Sequence, residues 1–145
     1  LFRGIRVSVQ RVQGLLQQQR SRVLGVLAEH DLALDVNGGP ETPELLSRLA
    51  AEQPQLRIVL NHLGNPAITS AAPQAAWVSG IRAAAGCENV FCKVSALVEG
   101  ASRNGGKAPE QLDFYPLDFL SQLKMVVPRI LKRRMPLLAL SQRLL

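Results

Sequence analysis

No uninterrupted apolar run in the sequence exceeds four residues. A membrane-spanning helix needs about 20, so no span is expected. An apolar h-region of the secretory kind is also missing, so no signal peptide is expected. Cysteine is scarce. Cys87 and Cys92 sit five apart, which is neither a disulfide framework nor a CxxC zinc pair. A reducing compartment, hence the cytoplasm, is the expectation. There is no GxSxG elbow, no Walker A loop and no GxGxxG fingerprint. Acid is missing from one stretch: residues 124–145 carry Lys124, Arg129, Lys132, Arg133, Arg134 and Arg143, with no Asp or Glu. Residues 1–123 hold 11 basic and 11 acidic residues and are neutral. The net charge of +6 therefore belongs to the tail, and no nucleic-acid partner is expected.

What is present is one globular domain by size and composition: 145 residues, 47% hydrophobic and 19% charged. Residues 2–9 read as a strand, with Ile5, Val7 and Val9 alternating against Gly4, Arg6 and Ser8. Residues 15–30 read as a helix, with Leu16, Val23, Leu24, Leu27 and Ala28 on one face. A second strand is expected over 32–36, broken by Gly38, Gly39 and Pro40. Thr42 is a candidate N-cap with Pro43 as first helical residue, and Leu45, Leu46, Leu49 and Ala50 form the apolar face. RIVLN at 57–61 reads as a third strand, ended by His62, Leu63, Gly64, Asn65 and Pro66. A helix over 73–85 places Trp77, Val78, Ile81, Ala84 and Ala85 on its core side, stopped by Gly86. NVFCKVS at 89–95 reads as a fourth strand, followed by a loop over 101–109 and a helix over 116–127.

Strand and helix thus alternate four times, the pattern of βαβ units on a parallel sheet. Functional residues in such sheets lie at the carboxyl ends of the strands. That rule singles out Arg6, Asp35, His62, Lys93 and Ser95. His62 stands just past an apolar strand, where an imidazole either binds a metal or trades protons, or simply hydrogen-bonds a loop. Arg6 points away from Ile5 and Val7, toward a barrel lumen that takes a carboxylate or carbonyl, or toward solvent. Asp35, inside LALDV, needs a partner: a metal, or a neighbouring loop backbone. Lys93 and Ser95 share one face of their strand; Lys93 reaches the crevice or snorkels at an edge. His30 reads as a helix C-terminal residue, Trp77 as core, and Cys92 as a packed thiol rather than a nucleophile.

RGIR, LALDV, LRIVLNHLGNP, the Trp77 helix and NVFCKVSAL together resemble the amidohydrolase-related (amidohydrolase 2) family of TIM-barrel hydrolases. The likeness runs over residues 2–115 and is nearest the sugar-lactone and pyrone-lactone branch. It implies that His62 is the active-site histidine, polarising a carbonyl or helping to hold a divalent metal such as zinc; some relatives need none. It implies that Arg6 contacts substrate charge and that Asn65 stands where some relatives carry a basic residue. Asn61 replaces the Asp that often precedes the histidine. The family's first-strand HxH would lie upstream of Leu1, and nothing like its last-strand acid segment follows Tyr115.

The expectation is an α/β fold: a partial (β/α)₈ barrel of four units over 1–123 with a divergent basic tail over 124–145. The tail is read as a truncation, an alternative exon or a shifted frame. The inherited function is a hydrolase opening a C–O bond in a lactone-like or carboxylate-bearing small molecule. His62 is the catalytic and metal-binding candidate, and Arg6, Asp35, Asn65, Lys93 and Ser95 are the substrate-binding candidates. A decarboxylase of the same superfamily and a non-catalytic fragment are the alternatives. Exposed barrel edges invite oligomerisation or aggregation.

Overall fold

The computed structural model describes residues 3–67 and 73–96. The expected loop over 101–109, the helix over 116–127 and the basic tail lie outside them. The described chain runs β1 (Gly4–Ser8), α1 (Val9–Gln17), a 3₁₀ turn (Ser21–Leu24), α2 (Gly25–Glu29), β2 (Ala33–Asn37), α3 (Thr42–Glu52), β3 (Arg57–Leu60), a turn (Asn61–Gly64), α4 (Ala75–Gly86) and β4 (Val90–Cys92). The four strands form one sheet in the order β1-β2-β3-β4, every pair parallel. A sheet that keeps sequence order is built like a barrel wall, whereas a doubly wound sheet reverses direction at a switch point.

One face of this sheet carries the core. Leu34, Val36, Ile58, Leu60 and Cys92 are buried together with Val12, Leu46, Leu49, Trp77 and Ile81 from the helices. Alternation sends Arg6, Asp35, Val59 and Phe91 to the other face, level with one another in the register. Val59 is only half-buried and Phe91 is exposed. Although RIVLN is a continuous apolar run, β3 is therefore fully buried on one face alone: helices cover that face, and the other is the lumen side of a barrel wall. Among the described residues no helix is long and apolar enough to cross a membrane.

Several boundaries differ from the sequence reading, each for a local reason. The helix expected over 15–30 begins at Val9 and breaks after Gln17. Arg20 N–H donates to Leu15 O (2.8 Å) and Gln19 N–H to Leu16 O (3.0 Å), a Schellman stop with Gln19 left-handed at φ 54°. The same stop recurs after α2, where Leu32 N–H reaches Leu27 O and Asp31 has φ 54°. Neither stop has the usual glycine, so neither is visible in composition. Val23, placed on the apolar face by periodicity, is exposed once the helix breaks. Thr42 is not the N-cap: Glu41 holds that position, and the Thr42 side chain is fully buried without a capping bond. The fourth strand stops at Cys92 instead of residue 95 because β3 leaves the sheet at Asn61; past that point Lys93 bonds Leu60 O and the Leu63 N–H of the turn rather than a continuing strand. Asn89, expected in that strand, instead donates its amide to Gln53 O and Leu56 O, both at 3.0 Å, and seats β4 against the end of α3. Helices α3 and α4 approach closely at Gly80, where a Cβ would lie 2.9 Å from the Glu44 backbone nitrogen.

Candidate functional site

Asp35 is the centre of the lumen-side cluster. Its Oδ2 accepts from Arg6 at 3.0 Å and from the Lys93 ammonium, and its Oδ1 accepts from the Asn61 amide. The carboxylate needs partners because its side chain is only 16% exposed. They are three side chains from β1, the turn after β3 and the segment after β4, neither of the partners expected from sequence. Arg6 and Lys93 keep 60% and 45% of their side-chain exposure, so both cations still face solvent. Two cations on one carboxylate leave a net positive charge on this face.

His62 lies just past β3. Its Nδ1 shares a 2.9 Å hydrogen bond with Ser95 Oγ, which leaves the other ring nitrogen unengaged by this contact. Because Lys93 and Ser95 are two residues apart, the segment after β4 joins the carboxylate cluster to the imidazole. The structure thus places Arg6, Asp35 and Lys93 in one cluster, His62 with Ser95 beside it, and Asn65 at the end of the turn that carries His62, bonded to a neighbouring loop. Asn65 donates to Gly38 O at 2.7 Å and to Asn37 Oδ1 at 3.3 Å.

The turn that carries His62 is unusual. His62, Leu63, Gly64 and Asn65 have φ of 49°, 57°, 74° and 45° in succession, one left-handed turn. Left-handed backbone costs roughly 1–2 kcal/mol per non-glycine residue, so the surroundings must hold it. They do so from three sides. Leu63 N–H donates to Lys93 O at 3.1 Å, and the Trp77 indole donates to Leu63 O at 2.8 Å. Gly64 packs so tightly that a Cβ would lie 3.0 Å from Pro43 and 3.2 Å from Gly39 O. Glycine is required there for both conformation and space.

Sequence reasoning did not assign a role to Asn61. It is buried, 1% exposed, and props the Asp35 carboxylate from below. Its position at the end of an apolar strand was the available signal. Cys92 is packed in the core, and burial pushes its thiol up to about 12, with a smaller opposing effect from the Leu63 backbone N–H. It is held neutral and unsuited to nucleophilic attack. Burial also pushes the Cys87 thiol up.

The described residues do not fit a divalent metal. No group of three His, Cys, Asp or Glu side chains comes together among them. The carboxylate nearest the imidazole cluster is already neutralised by two cations, which would repel a metal ion. What the arrangement offers instead is a fixed positive patch beside an imidazole.

The amidohydrolase family model matches residues 1–124. L-fucono-1,5-lactonase of Burkholderia ambifaria is 32% identical over 99 residues, which are 66% of this chain and 34% of that protein. The chain thus spans about a third of the length of that curated relative. An amidohydrolase from Burkholderia multivorans, solved with HEPES, superposes with a TM-score of 0.68 at 21% identity, covering 88% of this chain and 46% of that one. A second structure of that organism's amidohydrolase, solved with zinc, gives 0.69 at 22% identity, with 88% and 45% covered. These structural likenesses establish the fold: the four parallel strands are part of a TIM barrel.

Proposed function

The chain belongs to the amidohydrolase family, and we propose that it carries part of a site that hydrolyses the C–O bond of a lactone-like small molecule. The likeness to L-fucono-1,5-lactonase supports the substrate class. The observation that carries the reading is the shared anchoring of Arg6 and Lys93 on Asp35, with Lys93 two residues from the Ser95 that bonds His62.

Lactone hydrolysis develops negative charge first on the carbonyl oxygen and then on the product carboxylate. Arg6 and Lys93 supply donors and positive charge for both, and Asp35 holds them in place before substrate arrives. Water attacks the carbonyl carbon, the ring C–O bond breaks, and the ring oxygen takes a proton. The Nε2 nitrogen of His62 is the group suited to exchange that proton, while Ser95 orients the ring through Nδ1. The described residues do not fit a metal, and no step runs through one. A small molecule is the proposed partner and the cytoplasm the proposed compartment.

The test is ring opening of an aldono-1,5-lactone series, followed with a pH indicator and by product mass. We expect the chain to add one water to a lactone, slowly, below about 1 s⁻¹. His62→Gln should lower that rate by roughly 10²-fold or more, to background. Equal rates in wild type and variant would contradict the reading. Carbon dioxide release from a carboxylate substrate would put the chain with the decarboxylases instead.

A further inference from the structure

We infer that Asn65 is a positioning residue: by tying the left-handed turn 62–65 to the loop between β2 and α3, it fixes the imidazole of His62 on Ser95. The inference rests on the reading of His62 as the proton-exchanging group, and it adds what holds that group in place.

The observations converge on the turn. Four successive left-handed residues are not a conformation that a free chain holds, so the direction of His62 depends on what restrains them. Leu63 is restrained from the segment after β4 and from α4, through Lys93 O and the Trp77 indole. Gly64 is walled by Pro43 and Gly39. Asn65 closes the turn. Its N–H donates to His62 O at 2.8 Å, and its side-chain amide donates to Gly38 O at 2.7 Å and Asn37 Oδ1 at 3.3 Å. One residue thus bonds both the backbone of the histidine and the adjacent strand-end loop. Asparagine suits this place because it tolerates left-handed backbone and carries two amide donors. The amide nitrogen is spent on the protein, so Asn65 acts on a substrate through His62.

The chain has two histidines, His30 and His62, and one tryptophan, Trp77. The imidazole Hε1 signals and the single indole N–H therefore read the turn directly in solution. Asn65→Gly keeps the left-handed backbone available and removes only the side-chain tether. We expect the His62 imidazole signal to shift and broaden in this variant. The His30 and Trp77 signals should stay in place, because Trp77 still grips Leu63. In lactone opening, kcat should fall about tenfold while KM stays within about twofold, the mark of misaimed chemistry rather than lost binding. A His62 signal superimposable on wild type overturns the inference. Movement of Trp77 and His30 together with His62 overturns it equally, since that is general loss of structure. If wild type shows no His62-dependent ring opening, the proposed function fails, and the imidazole spectrum still decides the role of Asn65. Asn65→Ala, which adds a cost in the left-handed region, should move His62 further in the same direction.

Discussion

At the scale of single residues, the cluster is organised by one carboxylate. His62, Lys93 and Ser95 stand just past the carboxyl ends of β3 and β4, where parallel strands were expected to present their candidate side chains; Arg6 and Asp35, expected at such ends, instead sit in the middle of β1 and β2, on the lumen face. Their pairing was not legible. Nothing in LALDV says that Asp35 will take Arg6, Lys93 and Asn61 rather than a loop backbone, because those partners are 26 to 58 residues away in sequence. Cys92 shows the reverse case, where an apolar strand already implied a packed thiol. At pH 8 a thiol reagent should label Cys87 in the native protein and spare Cys92, with both reacting after unfolding. Because folding raises the Cys92 pKa from 9.0 to about 12, the neutral thiol is the one the fold accommodates. Its contribution to stability is full below about pH 9 and is lost as pH rises through 12. Cys92→Ala should flatten that alkaline loss in urea titrations; an unchanged slope, or rapid native labelling of Cys92, would contradict its burial.

At the scale of elements, periodicity and punctuation recovered what depends on composition. The β2 and β3 strands and the α3 and α4 helices lie within about two residues of their sequence-based positions. The failures share a cause: chain reversals made by residues that do not advertise them. Gln19 and Asp31 stop helices in the place where glycine is usual, and the residues 62–65 turn against the preferred hand. These stops make a direct prediction. Gln19→Gly relieves left-handed strain of about 1–2 kcal/mol and gives back about 0.5–1 kcal/mol in unfolded-chain entropy. The variant should therefore be more stable by roughly 0.5–1 kcal/mol, read as a higher urea midpoint. A lower midpoint would mean that Gln19 makes a compensating contact or that the helix does not end there.

At the scale of the molecule, helices on one face and a polar cluster on the other are the two sides of a barrel wall. The alternation of Leu34 and Val36 with Asp35, and of Ile58 and Leu60 with Val59, produces both sides from one short pattern. The carboxyl ends of the strands carry Lys93, Ser95 and His62. A separate groove, lined by Gly25, Ala28, Glu29 and residues 53–56, sits at the amino-terminal end of β3. The account places substrate at the first end and assigns no chemistry to the second. A backbone-amide titration of the labelled chain with an aldono-1,5-lactone and its aldonate tests this most directly. The account predicts shifts confined to residues around Arg6, Asp35, His62, Lys93 and Ser95, and their loss in Arg6→Met. Shifts centred on the 53–56 groove, or none at the carboxyl ends at millimolar ligand, would contradict it.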